Sequence, residues 1–136
     1  MKIRTGRLRR LAKHLRGTHR AHKKFSFSIL SKGKWKKGKF CGSAGCAIGE
    51  LPALWPKEWT WELYGPYSNA VVHKSQLTYG TEYGIIARFF SITVIQVEHL
   101  FVPNKQIEIF GEQKLDRDAT PEQVADNIDI FIKKMA

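Results

Sequence analysis

An α+β fold, helix-dominated and built as one domain over residues 1–136, is what this sequence predicts. Helical periodicity is strong near both ends of the chain, short alternating segments lie between, and no regular strand–helix alternation marks a parallel sheet. At 136 residues there is room for one core, and a 43% share of hydrophobic residues is enough to fill it.

The first element is a helix over residues 5–16. Leu8, Leu11, Ala12 and Leu15 repeat at i, i+3, i+4 and i+7 as one apolar stripe, with Thr5 as N-cap and Gly17 as stop. Arg7, Arg9, Arg10, Lys13 and Arg16 take the other faces and are expected to point outward. Residues 17–24 read as a polar loop. The following KFSFSIL alternates as a strand does, with Phe25, Phe27 and Ile29 on one side. Over 31–40, Gly33 and Gly38 break a run that sets Trp35 and Phe40 among five lysines.

The small residues of CGSAGCAIGE, 41–50, are read as the start of a short helix at Ala44 capped by Ser43, which Leu51-Pro52 would end. Trp55, Trp59, Trp61 and Tyr64 form the richest aromatic cluster, and Ala70-Val71-Val72 is a short strand between turns. A helix over 82–90 turns Ile85, Ile86, Phe89 and Phe90 inward. Another over 93–101 opens on the capping box Thr93–Gln96 and stops at Pro103-Asn104. QIEIF at 106–110 suits a short strand. The last helix begins at Thr120-Pro121-Glu122-Gln123, a cap, a first-turn proline and a capping-box glutamine in order. Val124, Ile128, Phe131 and Ile132 form its buried face, and Lys133 and Lys134 complement its C-terminal dipole.

Charge is segregated along this layout. The net charge is +11, yet residues 1–49 hold fifteen Lys and Arg with no Asp or Glu; all twelve acids fall from Glu50 onward. Such a basic third attracts phosphate polymers and releases their counterions. Arg7, Arg10, Lys13, Arg16, Lys36, Lys37 and Lys39 are the expected phosphate contacts, and Trp35 among those lysines suits stacking on an unpaired base. The plainer alternative for 31–40 is a hairpin with Trp35 against the core. Acidic protein surfaces would be drawn to the same charge. A membrane partner is not expected, because helix 5–16 lacks the Trp or Phe face of membrane-surface helices.

Other classes are disfavoured. No run approaches the roughly 18–20 apolar residues of a membrane span, and no apolar stretch follows the basic start as a secretion signal requires. An Arg-rich, acid-free start also fits an organelle transit peptide. Two cysteines without CxxC or HxxxH spacing point to a reducing compartment and to no zinc. Neither a Rossmann glycine fingerprint nor a P-loop occurs, so no cofactor is expected.

A helix end at Gly42 and Ser43 would present free N–H groups to one phosphate or carboxylate, with Lys39 beside it. A small ligand such as a signalling nucleotide could then sit between that end and the Trp55–Trp61 cluster. A cysteine there could also be a nucleophile with His73 or His99 as base. CGSAGC is superficially similar to the CGSCW context of papain-type enzymes, but the spacing differs and the tryptophan is missing. Cys41 and Cys46 are better read as small buried hydrophobes, and no catalytic residue is assigned.

Taken together, several segments resemble a group of small phage and prophage proteins marked by Cys-Gly-Thr/Ser-x-x-Cys-Ala-x-Gly, here Cys41 to Gly49. The group's LxxLAxxL helix is similar to Leu8–Leu15, its FFGLTxxExxxLFxP segment to Phe89–Pro103, and its TPEQVA-type helix to Thr120–Ala125. This chain departs from many members in having Glu50 where they have His, and in its more basic N-terminus. The group brings no activity to transfer. The resemblance implies a mobile-element accessory protein acting in a bacterial cytoplasm. Nucleic acid is the leading partner, with a nucleotide or an acidic host protein as alternatives.

Overall fold

The computed structural model describes residues 2–26, 31–36, 39–63, 69–74, 83–103, 105–106 and 115–135. Its elements run α1 (Thr5–Arg16), β1 (His22–Phe25), β2 (Ser31–Lys36), β3 (Lys39–Gly45), a 3-10 turn (Ile48–Glu50), α2 (Leu51–Leu54), β4 (Trp59–Leu63), β5 (Asn69–His73), α3 (Tyr83–Phe90), α4 (Val94–Phe101) and α5 (Pro121–Met135). The fold is α+β and helix-dominated, with α1 and α5 packed against each other.

The apolar stripe of α1 is fully used. Leu8, Leu11 and Leu15 have no solvent exposure and join a single hydrophobic cluster with the buried residues of α3, α4 and α5. At roughly 25 cal/mol per Å² of apolar area, each such leucine contributes about 2 kcal/mol to folding. The helix begins at Thr5, the expected cap, so the N-cap position falls on Arg4, which makes no side-chain cap bond. A tertiary contact holds this end instead: the Arg4 N–H donates to Phe90 O at 2.9 Å. At the other end Gly17 N–H reaches His14 O, and Arg20 donates to Leu15 O and Gly17 O, satisfying carbonyls that a helix end leaves open.

Two small sheets lie between the terminal helices. In the first, β3 is central: β1 pairs with it in parallel and β2 antiparallel. The strand therefore occupies residues where a helix from Ala44 was expected. Gly is unfavourable in either state and Ala leans to helix, so the strand forms against local propensity and pairing on both sides decides the outcome. Gly33 does not break β2 but marks a register shift within it, the usual meaning of a glycine inside a strand. The Lys36↔Lys39 pairing makes β2 and β3 a hairpin. Pro52 opens α2 rather than ending a helix, since a first-turn proline gives up only an N–H without an intrahelical partner. In the second sheet β4 and β5 pair antiparallel from Trp59↔His73 to Leu63↔Asn69. The candidate strand at 106–110, the side chains of Phe27 and Ile29, and Tyr64 lie outside the described residues.

Helices α3 and α4 bend by 94° at a tight junction. Ile92 N–H donates to Ala87 O and Ser91 N–H to Arg88 O, a Schellman turn with Ser91 at its left-handed position, φ 55°. A left-handed serine is strained relative to glycine. Ser91→Gly is accordingly expected to raise stability by about 0.5–1 kcal/mol in urea unfolding; a loss would show that the hydroxyl is worth more than the strain. Both capping boxes read from sequence are present, Thr93 with Gln96 and Thr120 with Gln123. Among the described residues no single helix is long and apolar enough to cross a membrane.

Candidate functional site

Glu50, the first acid in the chain, is 1% exposed and sits where α1, β1, β2 and the 3-10 turn meet. Its carboxylate takes four hydrogen bonds. Oε1 accepts from His14 Nε2 at 2.7 Å and from Ala21 N–H at 2.6 Å. Oε2 accepts from His22 N–H at 3.0 Å and from His22 Nδ1. Four donors saturate the lone pairs of an ionised carboxylate, which is what its burial demands. Burial alone pushes the Glu50 carboxyl up; the hydrogen bonds from His14 and His22, attraction to His22 and the Ala21 amide outweigh it and hold the group at about 2.

With Nδ1–H turned to Glu50, His22 presents Nε2 to Ser31 Oγ at 2.7 Å. Serine, histidine and carboxylate thus stand in the order of a hydrolase relay, nucleophile to base to orienting group. Ser31 is 2% exposed and His22 3%, so no substrate carbonyl reaches the hydroxyl in this conformation. What the network does here is fasten together four elements drawn from the basic third of the chain. Trp61 closes it from β4, its Nε1–H donating to Gly49 O at 2.7 Å and its ring edge-on to His22.

Cys46 lies beside this network and is buried and unbridged. Burial pushes its thiol up, more than backbone hydrogen bonds from Gly49 and Ile48 pull it down. A thiol kept protonated is a poor nucleophile. A Cys41→Ser protein should therefore label at Cys46 only as fast as it opens; labelling at the rate of a free thiol would reverse this assignment. His99, one candidate base, is 1% exposed in α4 beside Phe131, far in the chain from Cys46. Among the described residues no group of three His, Cys, Asp or Glu is placed to hold a metal.

The expected phosphate contacts divide. Lys13 is exposed on α1 with Arg9 one turn before it. Arg7 is half-buried, its Nη1–H donating to Phe89 O at 2.8 Å and its guanidinium 4.0 Å above the Phe89 ring. Arg10 is turned to Leu54 O at 3.0 Å and lies over Trp55. Arg16 pairs with Asp126 and Asp129, both at 2.7 Å, so two carboxylates outweigh its charge. Trp35, Lys36 and Lys39 lie on the β2–β3 hairpin, where their backbone but not their side chains is described; Lys37 lies outside the described residues. Exposed Lys23 and Lys24 on β1 add cations that were not singled out.

The anion site expected at Gly42 and Ser43 rested on a helix end. Both residues belong to the central strand β3 and not to a helix end, and Gly42 pairs with His22 on one side and Gly33 on the other. The tryptophans expected to line a ligand pocket are buried. Trp59 is 2% exposed, Trp55 and Trp61 are 9% exposed, and Trp55 and Trp59 pack edge-on to Phe89 as core. Sequence reading missed the Glu50 network altogether. The one available signal was a lone acid ending a stretch of 49 residues that holds three of the five histidines. Comparison with protein-family models, with curated proteins and with solved structures finds no match for this chain.

Proposed function

We propose that the protein is a phage-type accessory protein that binds nucleic acid through the cations left exposed by its basic third, acting in a bacterial cytoplasm. One observation carries this reading: Lys2, Arg4, Arg9, Lys13, Lys23 and Lys24 are all exposed in a stretch of 49 residues with no exposed acid. Counterion release from a phosphate polymer gives such a surface its affinity. The Glu50 network supports the reading, because it fastens α1, β1 and β2 to the core and so presents the cations on a rigid frame. Pre-ordered cations spend less conformational entropy on binding.

An anionic membrane would attract the same charge, but α1 has no free apolar face to insert, since Leu8, Leu11, Ala12 and Leu15 are at most 1% exposed. Phosphate contacts position a protein without reading bases, so sequence preference should be small. The test is anisotropy of labelled single-stranded RNA and double-stranded DNA across a salt series. Micromolar or tighter binding that weakens steeply with salt supports the reading, and absence of binding even at low salt overturns it.

A further inference from the structure

We propose that the cleft between the start of α1, the end of α3 and the β4–β5 pair is a binding site for a phosphomonoester, held by Arg4, Arg7 and Arg88. The convergence is built by the backbone. Arg4 precedes α1, Arg7 lies in its first turn and Arg88 in the last turn of α3, and all three line one open cleft of about 250 Å³. Two bonds staple the helices together there, Arg4 N–H to Phe90 O and Arg7 Nη1–H to Phe89 O.

The cleft holds more positive charge than it neutralises. Among the described residues Glu58 is the one lining carboxylate; that side chain is 39% exposed and stands 3.9 Å from His73 Nε2, another lining group. No acid lies in the first turn of α1. Three guanidiniums against one carboxylate leave about two charges uncompensated, a repulsion that a bound anion would relieve. Arg7 already registers it: burial lowers its guanidinium from the usual value, and the charge of Arg4 lowers it further. Arg7 is also pre-set for recognition, stacked on Phe89 with one donor taken, while a guanidinium carries five.

Charge and size select the ligand class. A phosphomonoester carries about −1.5 to −2 at neutral pH and three acceptor oxygens, matching the excess and the donors. A phosphodiester carries one charge and has chain on both sides. A cleft of about 250 Å³ admits a phosphoryl group but does not enclose a nucleoside with it, so the ligand must present its phosphate as an end. A 5′-phosphorylated strand and a free mononucleotide both do so. The site does not depend on the nucleic-acid reading, and its test separates the two.

The full-length protein is titrated at constant ionic strength with one oligonucleotide bearing a 5′-phosphate or a 5′-hydroxyl, and with adenosine 5′-monophosphate against adenosine. At least one phosphorylated ligand should bind about tenfold or more tighter than its unphosphorylated partner. Arg88→Gln, at an exposed position that spares the core, should abolish that gain, and Lys133→Gln, exposed on α5 away from both surfaces, should keep it. A gain with the oligonucleotide identifies a strand end as the source; a gain with the mononucleotide alone identifies a free nucleotide. No gain in either pair overturns the site, even where both oligonucleotides bind and the nucleic-acid reading survives. A gain unchanged in Arg88→Gln overturns it equally. If neither oligonucleotide binds but the mononucleotide gain appears, the nucleic-acid reading fails and the cleft stands.

Discussion

Replacing Glu50 by glutamine is expected to destabilise the protein by about 3–5 kcal/mol, because four buried hydrogen bonds to a carboxylate are exchanged for an amide that cannot accept them all. The amide keeps the shape but turns an NH₂ toward groups that are themselves donors. One side of the old carboxylate faces His14 Nε2 and Ala21 N–H, the other His22 N–H and Nδ1, so either orientation sets donor against donor. Against a typical total of about 5–15 kcal/mol, the loss should lower the melting temperature by roughly 10–20 °C. The pH dependence gives a second readout. The Glu50 carboxyl falls from 4.5 to about 2 on folding. Between those values the unfolded chain holds a proton that the folded chain does not. Its stabilising contribution, about 3 kcal/mol, is complete above pH 4.5 and lost as pH falls toward 2. The wild type should lose stability over that window more steeply than Glu50→Gln. Parallel pH profiles, or a melting shift of only a few degrees, would remove the network from its central place.

The second large effect concerns charge. Changing Arg9, Lys13, Lys23 and Lys24 together to glutamine should weaken nucleic-acid binding on the order of 100- to 1000-fold near physiological salt, and flatten the salt dependence by up to about four phosphate contacts. The loss should be uniform across sequences, since these contacts carry no base information. Arg16→Gln is the control, compared per charge removed. Its charge is already offset by Asp126 and Asp129, so affinity should stay within about twofold. An equal loss per charge removed in the quadruple variant and in Arg16→Gln would mean that total charge is felt, and not the exposed set. An unchanged salt slope in the quadruple variant would place the contacts elsewhere.

What could be read in advance was what local chemistry determines. The stripe of α1, the capping boxes at Thr93 and Thr120 and the burial of Ile86, Phe89 and Phe90 depend on residues three or four apart, and the structure has them where periodicity placed them. The segment 41–45 was misread because its small residues do not favour a strand, which is decided by partners at 22–25 and 31–36. The Glu50 network was unreadable for the same reason. Glu50 finds His14 and His22 at separations of 36 and 28 residues, and nothing in either neighbourhood marks the meeting. The arginines were read by composition alone. Sequence counts charges, but only geometry shows that Arg16 has met two carboxylates while Arg4, Arg7 and Arg88 line one cleft.

The packing of the first helix on the last has a consequence for how the protein is made. The Arg16–Asp126 contact joins residues 110 apart, and the leucines of α1 share their cluster with Val124, Ile128 and Phe131 of α5. A chain emerging from the ribosome exposes α1 at once but cannot cover it until α5 has followed. At about 5–20 residues per second, that leaves the leucine stripe bare for roughly 5–20 seconds. The same surface that ends within the core therefore stands bare while the rest of the chain is made. Its arginines and lysines, already charged and already exposed, are the groups that keep the waiting helix in water.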